Sequence, residues 1–195
     1  MRRAEIERNT RETRIKVELD LDGRGPSEVS TGIPFFDHML NLLTYHAGMR
    51  LRLEAGGDLE VDQHHTVEDA GLCLGEAIRQ ASGEKKGIHR YGWSLTPMDE
   101  SLARVALDLS GRPFLAWRVQ LPVESINGFD PFCAREFFQA LVNQAGLTLH
   151  VEVLEGENPH HILESVFKGV GLSLRMSLAV EIGADEPPST KGTLA

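Results

Sequence analysis

The sequence predicts an α+β fold built by tandem duplication, in which each half lays two helices on a small β-sheet. Three observations predict it: segments that align with one another inside the chain, helices that end in Ala-Gly at matched places, and two matched His-His-x-x-Glu runs. The first alignment pairs Glu12–Arg24 with Glu100–Arg112, each reading as a strand that runs into a Gly-containing turn. The second pairs Phe36–Glu54 with Ala134–Glu152, each a helix followed by a strand. Gly48 and Gly146 fall just past the helix ends, where a left-handed residue closes a helix. The third pairs His64–Glu68 with His160–Glu164, each opening a long helix. The halves are expected over 1–92 and 93–185 of one compact unit, with an irregular, proline-bearing tail over 186–195.

Composition narrows the class. At 195 residues and 41% hydrophobic the chain is large enough for one real core. It has no apolar run long enough to span a membrane. Its charged N-terminus has no apolar stretch behind it, so it does not read as a signal peptide. A net charge of −9 argues against nucleic acid as a partner, because phosphate backbones reward basic surfaces. A small phosphorylated ligand needs only a few well-placed Arg and Lys. Two cysteines outside any CxxC point to a reducing cytoplasm, and Cys133 reads as a small buried apolar residue. No Gly-rich phosphate loop or GxGxxG is present.

The His-His-x-x-Glu helices carry the chemistry. At about 100° per residue, with His64 at 0°, Glu68 falls near 40° and His65 near 100°. Val67, Ala70, Gly71, Leu74, Ala77 and Ile78 fall between about 220° and 340° and form the core stripe. In the second copy His160, His161 and Glu164 take the same angles, and Lys168 falls near 80°, on the ligand face. Imidazole and carboxylate without thiolate suit Mn, Fe or catalytic Zn rather than structural zinc. A single such run could be a solvated helix start with its Glu beside the helix dipole. Two copies at matched positions favour a pair of metal sites. The repeat also sets His38 opposite Glu136 as further ligands, whereas His46, His89 and His150 have no such partners and read as structural.

Together FFDHML, DQHHTVED, PMDE, SGRP, NPHHILESVFK and PSTKG, spanning about Arg8 to Lys191, resemble the imidazoleglycerol-phosphate dehydratase family. The resemblance implies a fold similar to the second domain of ribosomal protein S5. It also implies a homo-oligomer of about 24 subunits with active sites at subunit interfaces and two Mn²⁺ per site. The reaction implied is dehydration of imidazole glycerol phosphate to imidazole acetol phosphate in histidine biosynthesis, through a dimetal-bound imidazolate. By the same resemblance the metal ligands are His38, His64, His65, Glu68, His160, His161 and Glu164, with Glu136 where the family often has His. Glu12 matches the acid/base carboxylate, and Lys168 assists. Arg90, Arg112, Lys168, Ser189, Thr190 and Lys191 match the substrate-binding groups. Two other readings compete: a two-metal phosphate-ester hydrolase, disfavoured because clustered Asp is missing at the proposed ligands, and a metal-binding assembly protein without catalysis.

Overall fold

The computed structural model describes residues 2–121, 125–181 and 183–194, so Ala195 of the expected tail lies outside the described residues. The element order is β1 (Arg3–Asn9), β2 (Thr13–Asp20), β3 (Glu28–Ser30), α1 (Pro34–Ala47), β4 (Arg50–Gly57) and α2 (His64–Ser82). The second half repeats it as β5 (Tyr91–Met98), β6 (Ser101–Asp108), β7 (Phe114–Arg118), α3 (Phe132–Ala145), β8 (Thr148–Glu155) and α4 (Pro159–Leu178). The sheets have matching orders, β1-β2-β4-β3 and β5-β6-β8-β7, antiparallel except where β3 and β7 run parallel to β4 and β8. The duplicated α+β fold read from the sequence is therefore present.

Local chemistry explains the boundaries. The buried–exposed alternation of β2 places Ile15, Val17 and Leu19 inward. Pro34 starts α1, where its missing N–H was unpaired in any case. Gly48 and Gly146 close α1 and α3 with φ of 68° and 63°, the left-handed cap expected for each. The Asn158 side chain caps α4 by accepting the His160 N–H, and the Asp62 carboxylate accepts the His64 N–H at the start of α2.

The two halves meet through their helices. α1 packs on α4 and α2 on α3, so each helix pair takes one member from each half. Each sheet turns one face to these helices, and a single core cluster runs through both. At its centre Phe36 of α1 meets Phe137 of α3 edge-on, and Phe167 of α4 packs against Phe137 and Phe138. Small residues allow the close approach. A Cβ on Gly71 or Gly75 would lie 2.5 Å from a carbonyl oxygen of α3, and one on Gly171 would lie 2.4 Å from Leu43 O of α1.

Candidate metal centre and active site

The cross-half pairing of α1 with α4 brings His38 to His160 and Glu164. One ligand atom from each of the three lies within 4.8 Å of the others. His160 Nε2 is 3.2 Å from Glu164 Oε2, and the two imidazole rings sit 5.8 Å apart. Phe35 packs edge-on against His160 with ring centroids 5.2 Å apart and fixes its plane. Lys168, one turn past Glu164, places Nζ 2.7 Å from Glu164 Oε1, as its helical angle requires. Burial works to raise the Glu164 carboxyl, but the hydrogen bond and charge of Lys168, with His160 and His38, outweigh it and keep the group ionised. The donors are imidazole nitrogen and carboxylate oxygen, while Cys73 and Cys133 are buried outside the group. That donor set fits a divalent ion such as Mn²⁺ or Fe²⁺.

The repeat-related trio is looser. The α3 helix that carries Glu136 packs on the α2 helix that carries His64 and Glu68, but His64 Nε2 and Glu68 Oε2 are 3.8 Å apart and Glu136 bonds Arg135 at 2.9 Å. Among the described residues, only His38, His160 and Glu164 close into a tight triad. His65 and His161 point elsewhere. His65 Nδ1 lies 3.1 Å from Asp58 Oδ2 and 3.9 Å from Glu12 Oε2. His161 Nδ1 lies 2.7 Å from Glu100 Oε2. The bonds to Asp58 and Glu100 raise the two imidazoles above the ordinary histidine range. The His161 bond, with the amide of Asn158, lowers Glu100 to about 2.

The basic residues gather at the far end of the second sheet. Asp108 takes Arg90 through Nε at 2.7 Å and Nη2 at 3.1 Å and lies 4.0 Å from Arg112. Arg90 Nη1 donates to Pro188 O at 3.0 Å and so ties down the tail that carries Ser189, Thr190 and Lys191. Within that tail the Lys191 N–H donates to Ser189 Oγ. The Arg90 N–H donates to Ser177 O near the end of α4, whereas Glu164 is in its second turn. From Glu164 to Ser177 the helix runs about 20 Å at 1.5 Å per residue. The triad and the basic cluster of one chain are thus too far apart to grip one small molecule.

The sequence reading did not single out Asp58, Glu100, Thr13 or Asp69. Glu100 had a signal, its alignment with Glu12. The others are visible only once the chain has folded.

A model of the imidazoleglycerol-phosphate dehydratase family matches residues 31–174, most of the chain. The chain belongs to this family. Whole-length relatives of that name share 55% identity in Azorhizobium caulinodans and 53% in Heliobacterium modesticaldum, each over all of this chain and at least 99% of the relative. Two solved structures superpose with TM-scores of 0.83. The dehydratase from Staphylococcus aureus is 37% identical over 91% of this chain and 98% of that one. The Pyrococcus furiosus protein, in complex with (S)-C348, is 34% identical over 96% of this chain and 99% of that one. The family dehydratase is a hydro-lyase of histidine biosynthesis, and so is this chain.

Proposed function

We propose that this dehydratase converts imidazole glycerol phosphate to imidazole acetol phosphate at sites holding two Mn²⁺ each, with every site assembled between copies of the chain. The observation that carries the reading is the His38–His160–Glu164 triad beside Lys168, formed from helices of different halves. His38, His160 and Glu164 would hold one ion, and His64, Glu68 and Glu136 the other. His65 and His161, whose Nδ1 atoms are taken by Asp58 and Glu100, would use Nε2 to complete the coordination of a neighbouring copy. The separation along α4 supports assembly between copies: a phosphate held by Arg90, Arg112, Ser189, Thr190 and Lys191 would lie about 20 Å from the same chain's triad. It also explains why the looser trio stands open in one chain.

The hydrogen lost in the reaction sits on an unactivated carbon. Divalent ions held by these His and Glu side chains would supply Lewis acidity to the imidazole of the substrate and so make the adjoining side chain reactive. The protein groups do the rest. Lys168, held by Glu164, donates a proton to the departing hydroxyl. Glu12, on the exposed turn between β1 and β2 and 3.9 Å from His65, takes the carbon-bound proton. The basic cluster fixes the phosphate through charge-assisted hydrogen bonds.

No helix among the described residues is long and apolar enough to cross a membrane. With two free cysteines and a biosynthetic small-molecule reaction, we place the enzyme in the cytoplasm. The test is to assay metal-stripped protein with imidazole glycerol phosphate, with and without Mn²⁺, following ketone and free phosphate. Mn²⁺-dependent ketone without phosphate release supports the reading. Phosphate without ketone makes the chain a hydrolase, and silence in both channels makes it a metal-binding assembly.

A further inference from the structure

Glu12 and Glu100 occupy equivalent positions in the two halves, as do His65 and His161, yet the structure uses them differently. Glu100 is engaged on both oxygens. Oε2 lies 2.7 Å from His161 Nδ1, and Oε1 accepts the backbone N–H groups of Asn158 at 2.8 Å and Glu157 at 3.3 Å. With Nδ1 satisfied, His161 keeps Nε2 for a ligand, and the nearest other carboxylate, Asp99, stands 3.7 Å from that nitrogen.

In the first half a different carboxylate fills this place. His65 Nδ1 bonds Asp58 at 3.1 and 3.2 Å. Asp58 comes from the connection 58–63 between β4 and α2, whereas its counterpart in the second half is only 156–158. The Asp58 N–H also donates to Glu12 O at 3.1 Å, so Asp58 joins the His65 ring to the turn that carries Glu12. That turn is pinned by other groups as well. The Thr13 hydroxyl donates to the buried Asp69 carboxylate, which also pairs with Arg8 at 2.9 Å. At the equivalent place the second half has only a neutral contact, Ser101 Oγ to Ser165 Oγ at 3.1 Å. The Glu12 side chain is left 58% exposed, against 37% for that of Glu100.

We propose that Asp58 and Glu100 are positioning residues that orient His65 and His161 for metal binding, and that Asp58, by taking this role in the first half, leaves Glu12 free to transfer protons. The proposal rests on the metal reading above. Its warrant is general: a ligating histidine donates its second ring N–H to a carboxylate, and loss of that partner weakens metal binding about 10- to 100-fold.

The test titrates Mn²⁺ into metal-stripped, full-length protein and reads the free ion by electron paramagnetic resonance. Glu100→Ala and Asp58→Ala are expected to weaken binding by roughly 10- to 100-fold. Glu100→Gln, whose amide oxygen still accepts a hydrogen bond, should lose less. Glu12→Gln should bind as wild type does. Melting of the metal-free proteins separates positioning from folding: Glu12→Gln should melt close to wild type, and every variant should still unfold cooperatively well above the titration temperature, so that the lost affinity is read on folded protein. Wild-type affinity in Glu100→Ala overturns the proposal, as does a loss in Glu12→Gln equal to that in Asp58→Ala. Wild-type protein that binds no Mn²⁺ would overturn the underlying metal reading instead.

Discussion

Gly171→Ala probes whether the closeness of α1 and α4 builds the triad. The added Cβ would sit 2.4 Å from Leu43 O and 3.1 Å from Ala47 N, both backbone atoms that no side-chain rotation can move away. An ordinary contact of about 3.4 Å requires α1 to retreat by about 1 Å. Replacing Gly by Ala inside a helix favours folding by about 1 kcal/mol. Forcing a methyl into a packed seam costs about 1–3 kcal/mol, and a clash with backbone sits at the upper end. The expected net loss is therefore about 1–2 kcal/mol, and each kcal/mol lowers Tm by about 2–4 °C in a domain of this size. Because α1 carries His38, the same retreat pulls it from His160 and Glu164, so Mn²⁺ affinity should fall about tenfold or more. Thermal unfolding of metal-free protein and a Mn²⁺ titration read the two effects. Gly56→Ala is the control, since nothing lies within 4 Å of its added Cβ. A Gly171→Ala protein that melts at or above wild type and binds Mn²⁺ equally well would refute the argument that this contact sets the triad.

Glu12→Gln should retain metal while turnover falls about 10²-fold or more; near-normal turnover removes Glu12 as the base. Burial pushes the Cys73 thiol up to about 11 and the Cys133 thiol up to about 12, so neither should react with a thiol reagent at pH 8 until the protein is unfolded. The Glu100–His161 pair gives the metal-free protein a defined pH dependence. Glu100 is held at about 2, so its contribution is present above the ordinary carboxyl value of about 4.3 and lost as pH falls toward 2. His161 is raised, so its contribution is present below about 6.5 and lost as pH rises through the raised value. The melting difference between wild type and Glu100→Gln should thus be greatest between about pH 4.3 and 6.5 and shrink on either side.

The sequence by itself determined the duplicated plan, the helix ends at Gly48 and Gly146, and the face on which His160, Glu164 and Lys168 meet. These features are local: a turn residue with positive φ, a hydrophobic period, a spacing of one helical turn. What it left open was which helix meets which. His38 and Glu136 sit at equivalent points of the repeat, yet only His38 enters a closed triad, because α1 crosses to α4 while Glu136 on α3 is drawn to Arg135. Glu12 and Glu100 are likewise equivalent in sequence. The connection 58–63 brings Asp58 to His65, and no periodicity records that contact. The basic cluster shows the same division. Arg90 and Arg112 are single charges in the sequence, and folding gathers them on Asp108 at one end of the sheet, about 20 Å along α4 from the triad. Tertiary structure decided these pairings because they join segments far apart in the chain, where only the packing of the two halves sets the distance.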